Sequence, residues 1–218
     1  MPTLTPNEVR VLGSLIEKQI TTPEYYPLTL NALTLACNQK NNRNPVTALT
    51  ETEVEQALDS LREKNLAYVF YGSTSRVPKY KHVADNLHLS APELAAMCVL
   101  LLSGAQTVGE IRTRGTRLYE FSGLEDVEQA LHSLGAKDPE PMAIKLPRQP
   151  GQKEARFAHL LSGAVDVEQM IVDSPAHKAP RRGNDAERVA ALEERVEALA
   201  TEVENLGRQF EEFKKQFE

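Results

Sequence analysis

The side chains of this 218-residue chain that are best suited to catalysis or metal binding are five histidines and two cysteines. A metal site needs such ligands at a fixed short spacing, and a catalytic base needs a nucleophile beside it. No histidine stands in a metal-ligand spacing with either cysteine, and no phosphate-binding loop, glycine-rich dinucleotide turn or nucleophile elbow occurs. We therefore expect no catalytic residue, no metal, no cofactor and no enzymatic activity. The side chains concerned are His82, His88, His132, His159, His177, Cys37 and Cys98.

Basic side chains form the second group with a chemistry of their own. Lysine and arginine neutralise the phosphates of nucleic acids, and asparagine can hydrogen-bond to base edges. Each cluster taken alone also fits a solvated surface whose charges pair locally, as Arg117 would with Glu120 or Lys153 with Glu154. Taken together, they are our candidate nucleic-acid-binding residues: Lys40, Asn42, Arg43, Arg76, Lys79, Lys81, Arg112, Arg114, Arg148, Lys153 and Arg156.

An internal repeat organises the elements that must position these residues. The stretch 54–61, VEQALDSL, returns at 127–134 as VEQALHSL, with seven identities in eight positions. Its apolar residues recur at i, i+3, i+4 and i+7, the spacing of a helix with one buried face. Internal repeats of this kind indicate two copies of one structural unit. We call the two repeated segments the signature helices.

Other helix starts carry capping boxes. Thr5 and Glu8 open the first helix, and Ser90 opens the corresponding helix of the second copy, in each case with proline in the first turn. The first copy has 12 more residues between its first helix and its signature helix. It has a second helix from about Leu28 to Cys37 and then a long polar loop that includes Asn38–Pro45, whereas the second copy has a short helix starting at Thr107 and a tight turn. An extra loop is a common place for function, although asparagines also serve simply to cap and turn the chain.

Strand-like sequence follows each signature helix. Residues 67–71 and 77–83 predict one β-hairpin, in which Pro78 suits an edge strand, and residues 142–146 and 155–160 predict another. We expect His82 and His159, on these hairpins, to be surface or half-buried residues. Three helices followed by a hairpin constitute a winged helix. The predicted fold class is thus mainly α with small β-hairpins: winged-helix domains at 1–86 and 87–168, a linker at 169–184 and a coiled-coil helix at 185–218.

The last segment carries a heptad repeat with β-branched and aromatic residues at position a and mostly leucine at position d. That pattern favours a parallel two-stranded coil and hence a homodimer, although a single helix packed on its own domains is the alternative. Residues 185–218 have a net charge of −5, and the remaining 184 residues have −1, so most of the acidity is in this segment. The predicted dimerisation residues are Val189, Leu192, Val196, Leu199, Val203, Leu206, Phe210 and Phe213.

Five stretches of the sequence share an order and a set of motifs: residues 15–28 and 36–46, then Gly104–Arg112, Arg117–Phe121 and Pro150–Arg156. In these stretches the chain resembles the YceH-like family of bacterial proteins. The resemblance covers about residues 4–163. It implies a tandem winged-helix fold and brings no catalytic residues with it.

No apolar run is long enough to span a membrane, and residues 1–6 lack the regions of a signal peptide. Two distant cysteines in apolar helices fit reduced core residues, so we expect a cytoplasmic protein without a membrane partner. Our leading hypothesis is a dimeric, transcription-regulator-like protein that binds double-stranded DNA through its wings and its polar loop. Both signature helices are acidic, which opposes insertion into a major groove. The rival hypothesis is therefore a protein-binding adaptor resembling the tandem winged-helix subunits of chromosome-condensation complexes.

Overall fold

The structure is a computed structural model and describes residues 3–71, 77–148 and 152–163. All of them belong to one compact unit, Met1–Val167. The described residues form six α-helices and five short strands in the order α1 (Pro6–Thr21), β1 (Leu28–Thr29), α2 (Leu30–Cys37), α3 (Glu51–Glu63), β2 (Ala67–Phe70), β3 (Lys79–His82), α4 (Ala91–Ser103), α5 (Val108–Gly115), α6 (Leu124–Gly135), β4 (Ala143–Lys145) and β5 (Phe157–His159). The prediction of a mainly helical protein with small antiparallel hairpins is confirmed. The predicted linker and coil, with all the dimerisation residues, lie outside the described residues.

Local signals set the helix starts as predicted. Glu8 accepts a hydrogen bond from the backbone N–H of Thr5 at 2.6 Å, and Glu93 accepts one from the N–H of Ser90 at 2.7 Å. The second helix of the first half begins at Leu30, two residues later than expected. Thr29 is its N-cap and accepts a hydrogen bond from the N–H of Ala32, which leaves Leu28 and Thr29 free to form a strand.

Both signature helices, α3 and α6, bury the same apolar stripe. Leu58 and Leu61 of α3 are fully buried, as is Leu134 of α6, and Leu131 is almost so. Each signature helix packs against the first helix of its own half, α3 against α1 and α6 against α4. The repeated segments therefore occupy equivalent surroundings, as the sequence repeat predicts.

The two sheets are also equivalent. In the first half the strand order is β1-β3-β2, with Leu28 opposite Tyr80. In the second half β4 pairs with β5, and Gln106 forms a single bridge to Phe157 in the place that β1 takes in the first half. The expectation that Pro78 marks an edge strand was wrong, because β1 makes β3 the central strand. Pro78 directly precedes β3, so its missing N–H does not interrupt the pairing.

One hydrophobic core runs through both halves, because α1 packs along α4. The approach is close at Gly13, where a Cβ atom would lie 2.9 Å from Cδ2 of Leu102. Cys98 lies in the same contact and donates a hydrogen bond to the carbonyl of Gly13 at 3.5 Å. Cys98 and Cys37 are both buried and unpaired, as the sequence predicts. Among the helices of the described ranges, none is long and apolar enough to cross a bilayer.

Candidate nucleic-acid interface

The first hairpin places four of its side chains on one exposed face. Tyr68 lies opposite Lys81, and Phe70 lies opposite Lys79, so that each cross-strand pair joins an aromatic ring to an ammonium group. Tyr68 is 38% exposed and Phe70 is 40% exposed. The Nζ atom of Lys81 lies 4.6 Å from the centroid of the Tyr68 ring. We call these four residues the outer face of the first hairpin.

The alternation of the strands explains why these side chains point outward. Successive side chains of a strand point to opposite sides of the sheet, so Ala67, Val69, Tyr80 and His82 form the inner face. Ala67, Tyr80 and His82 are buried. The backbone N–H of His82 donates to the hydroxyl of Tyr26 at 2.7 Å, and Nδ1 of His82 accepts from the N–H of Ala84 at 2.9 Å. The inner face therefore anchors the hairpin to the core, and the outer face is left to solvent.

The two lysines of this face keep their charge available. Within the part of the chain that the structure describes, neither Lys79 nor Lys81 forms an ion pair with a carboxylate. Both residues are partly exposed. A lysine on a sheet surface can lay its methylene chain along the sheet while its ammonium group stays within reach of a phosphate.

The second hairpin lacks this arrangement. Ile144 lies opposite Ala158 where the first hairpin has Tyr68 and Lys81. At the next equivalent position, Arg156 donates to both carboxylate oxygens of Glu110, at 2.9 and 3.1 Å, and to the carbonyl of Ala105 at 2.8 Å. The charge of Arg156 is thus neutralised within the fold. Arg148 and Lys153 remain exposed near the turn of this hairpin.

The polar loop has a different role from the one that its composition indicates. Arg43 is buried, and its guanidinium donates to Glu17 Oε1 at 3.0 Å and to the carbonyl of Ala36 at 2.9 Å. The backbone N–H of Asn44 donates to the carbonyl of Leu102, at the end of α4. The inclusion of Arg43 among the nucleic-acid-binding residues is therefore corrected, because its charged group does not reach the surface. Lys40 is exposed, and Asn42 is partly exposed with a φ of 57°.

Glu17 is the centre of a buried ionic cluster that the sequence analysis missed. Its side chain is fully buried and binds both Arg43 and Arg117. Burial alone would raise the pKa of Glu17, but the hydrogen bonds and the charge of Arg43, followed by the charge of Arg117, hold the pKa below its ordinary value. The alternative pairing of Arg117 with Glu120 was therefore wrong. Since Arg117 follows α5 and Arg43 follows α2, Glu17 joins the two halves of the fold.

The remaining basic candidates are distributed around the surface. Arg112 is exposed on α5, and Arg114 is partly exposed on the same helix. Arg76 lies outside the described residues. These positions neither confirm nor exclude contact with nucleic acid.

The exposed side of α3 is acidic, as predicted. Glu51, Glu53, Glu55, Asp59 and Glu63 all face solvent. The basic residues of the same region are already engaged: Arg62 donates to Asp59 at 2.8 Å, and Lys64 lies 2.7 Å from Glu8. The helix would therefore present carboxylates to a phosphate backbone.

All of the histidines and cysteines except His177 lie within the described residues. Within the described residues, no group of three or more His, Cys, Asp or Glu side chains could hold a metal ion. His82 is buried, contrary to the expectation of a surface or half-buried residue, whereas His159 is partly buried as expected. Burial lowers the pKa of each to about 4. Burial also raises the pKa of the Cys37 thiol to about 11, which makes it a poor nucleophile.

These features define a mainly helical protein built from two copies of a unit with three helices and a hairpin, of which one copy displays a basic and aromatic sheet face. The chain belongs to the family described as "Protein of unknown function, DUF480", whose model matches residues 4–152. This confirms the resemblance to a YceH-like bacterial family.

The chain is similar to several bacterial proteins named UPF0502 protein. The relative from Opitutus terrae is 54% identical over 168 residues, which cover 77% of this chain and 73% of the relative. The relative from Geobacter sulfurreducens is 52% identical over 188 residues, covering 85% of each chain. The relative from Aliivibrio fischeri (strain ES114) is 48% identical over 198 residues, covering 88% of this chain and 89% of the relative.

Proposed function

We propose that the protein is a non-enzymatic nucleic-acid-binding protein and that each half is a winged helix. The order of the elements supports this assignment. In both halves a short strand or a bridge follows the first helix, and the last strand of the hairpin pairs with it. The third helix, α3 or α6, occupies the place of the recognition helix in such folds.

The observation that carries the proposal is the outer face of the first hairpin. Strand β2 carries two exposed aromatic rings, and β3 carries two lysines opposite them. The described residues supply no carboxylate that pairs with either lysine. Phosphate contacts provide most of the affinity of sequence-independent nucleic-acid binding. The acidic surface of α3 makes insertion of this helix into a major groove unfavourable. The wing, rather than the third helix, is therefore the proposed contact.

Salt dependence tests this proposal directly. Each phosphate neutralised contributes about 0.9 to the slope of log K against log salt concentration on a duplex. The double variant Lys79→Ala/Lys81→Ala should therefore lower the slope by about 2. The slope is measured by fluorescence anisotropy with a labelled duplex at salt concentrations from roughly 50 to 300 mM KCl, the range in which binding through phosphates weakens steeply. A matched control, Arg62→Ala/Lys145→Ala, removes the same charge from α3 and β4 and should leave most of the slope intact. Absence of binding, or equal slopes for the two variants, would refute the proposal.

The acidic face of α3 favours a second candidate function, an adaptor that binds a basic protein surface. Charge reversal at Glu55 and Asp59 separates the two candidates, because it should strengthen nucleic-acid binding and abolish binding to a basic protein. Association with a partner from cell extract should survive nuclease treatment if the adaptor hypothesis holds. It should disappear with nuclease if the association is through nucleic acid.

A further inference from the structure

We propose that the outer face of the first hairpin binds unpaired nucleotides, whose bases stack on Tyr68 and Phe70 while their phosphates contact Lys81 and Lys79. This inference rests on the proposed nucleic-acid-binding function and narrows it from nucleic acid in general to single strands. Base stacking on aromatic side chains is a sequence-tolerant mode of binding, since every base has a π-face.

The spacing of the two rings is the first argument. Tyr68 and Phe70 are two residues apart on one strand, so their attachment points are about 6.6 Å apart. That distance is about twice the rise of roughly 3.4 Å between stacked bases in a duplex. Two successive bases can therefore each cover one ring only if they are unstacked from each other. A single strand can open in this way, whereas a paired duplex cannot do so without losing its own stacking.

The arrangement of charge is the second argument. A single strand carries one phosphate for each base, and the outer face carries one lysine for each ring. Lys81 lies opposite Tyr68 and Lys79 lies opposite Phe70, so each lysine is attached to the neighbouring strand directly across from its ring. A base on Tyr68 would take the place that the Lys81 ammonium now occupies over the ring. A cation–π contact at an exposed site is weak, so the ammonium group can move to a phosphate at little cost.

The second hairpin provides an internal comparison. Ile144 and Ala158 occupy the positions of Tyr68 and Lys81, and Arg156 is held by Glu110. A hairpin of this fold therefore forms without exposed aromatic residues on its outer face. We expect one stacking surface in each chain, on the first hairpin.

The test compares the full-length protein and its variants on a labelled oligothymidine and on a duplex of similar length. Unmodified protein should bind the single strand more tightly than the duplex. Tyr68→Leu/Phe70→Leu should weaken single-strand binding at least about tenfold, because stacking contributes to the binding of each base. The salt slope of this variant should remain unchanged, since both lysines are retained. Lys79→Ala/Lys81→Ala should instead lower the slope by about 1.4, at roughly 0.7 for each phosphate of a single strand.

Two further variants control for folding and for exposure. Tyr25→Leu removes an aromatic ring that is 72% exposed outside the sheet and should bind as the unmodified protein does. Phe70→Tyr keeps the stacking surface and should retain affinity even if the double leucine variant folds poorly. The chain contains six tyrosines and no tryptophan. If a base stacks on Tyr68, the oligothymidine should quench the tyrosine fluorescence of the unmodified protein more than that of Tyr68→Leu/Phe70→Leu.

The outcomes separate this inference from the function on which it rests. Equal affinity for both strand forms, with no effect of the leucine variant and a lower slope for the alanine variant, would overturn the inference and leave the proposed function standing. Absence of salt-dependent binding to either probe would overturn both. A third outcome is that the unmodified protein binds neither probe but forms a protein complex that resists nuclease, and that the leucine variant loses this complex. It would assign the outer face to a protein partner and would overturn both the inference and the proposed function.

Discussion

Replacement of Glu17 by glutamine should destabilise the protein more than any single change of a surface charge. Glu17 is fully buried, and so is the side chain of Arg43, while Arg117 is 38% exposed. Arg10, on the same helix, is also buried, and the charge of Arg43 adds to the effect of burial in lowering its pKa. One buried carboxylate thus offsets the charge of Arg43 in the interior and of Arg117 at its edge.

The expected magnitude follows from this burial. Removing one partner of a buried ion pair costs about 3–5 kcal/mol, mainly because the other charge is left unpaired. Glutamine has nearly the same shape and retains one acceptor, so the loss in Glu17→Gln should measure the charge rather than a cavity. Against a typical domain stability of about 5–15 kcal/mol, this is a large share. Arg117→Ala should cost less, because water screens its exposed guanidinium.

Urea unfolding followed by circular dichroism at the helix band measures this loss, provided that the dependence of the free energy of unfolding on denaturant is unchanged. Arg62→Ala is the matched control, since its ion pair with Asp59 is exposed and should contribute less than about 1 kcal/mol. A loss in Glu17→Gln no greater than that of the control would refute the reasoning. The double variant Glu17→Met/Arg43→Met should recover much of the loss, because it leaves no buried charge unpaired between these two positions. Losses that simply add would contradict the assignment of the cost to an unpaired charge.

Two further predictions concern pH and self-association. Because the pKa of His82 is lowered from 6.5 to about 4, the unfolded chain takes up the proton first as pH falls. The contribution of His82 to the free energy of unfolding should therefore be fully present above pH 6.5 and decline between pH 6.5 and 4, by up to about 3 kcal/mol. A urea midpoint that stays constant from pH 7 to 5, or a decline of the same size in His82→Gln, would contradict this. If the heptad segment forms a two-stranded coil, the full-length protein should have the mass of two chains by light scattering, and a chain ending at Asn184 should have the mass of one shortened chain. A shortened protein that still has the mass of two copies would exclude dimerisation through that segment.

The parts of the fold that sequence predicts are those set by neighbouring residues. The cap at Thr5 depends on Glu8, three residues away, and the stripe of α3 repeats within two helical turns. Strand β1 escaped prediction because two residues carry no periodic signal of their own and form a strand only through pairing with β3, about 50 residues later. The same limit explains the wrong expectation at Pro78. The strand that follows Pro78 is recognised as a central strand only when its pairing with β1 is known.

The candidate site was predicted in part for a related reason. Lys79 and Lys81 alternate with buried residues, so their position on one face follows from the period of a strand. Arg43 stands among asparagines in a loop that resembles a solvated surface, and its burial depends on Glu17, which is 26 residues away. The pairing of Arg117 with Glu17 spans 100 residues and carries no local signal. Local composition therefore indicated the charge of these arginines correctly but not their location.

The second hairpin indicates why the first hairpin has aromatic and basic side chains on its outer face. The inner positions are similar in kind, since Tyr80 and Phe157 occupy equivalent places and both pack against the core, and His82 and His159 both end the strand. Packing against a helical core constrains these positions in each half. At the outer positions the two hairpins differ: Ile144, in the place of Tyr68, is exposed, whereas Ala158, in the place of Lys81, is buried. Ile144 shows that a hairpin of this kind forms without an aromatic ring at the position of Tyr68. The combination of two partly exposed rings and two lysines on the first hairpin therefore favours contact with a phosphate-bearing partner.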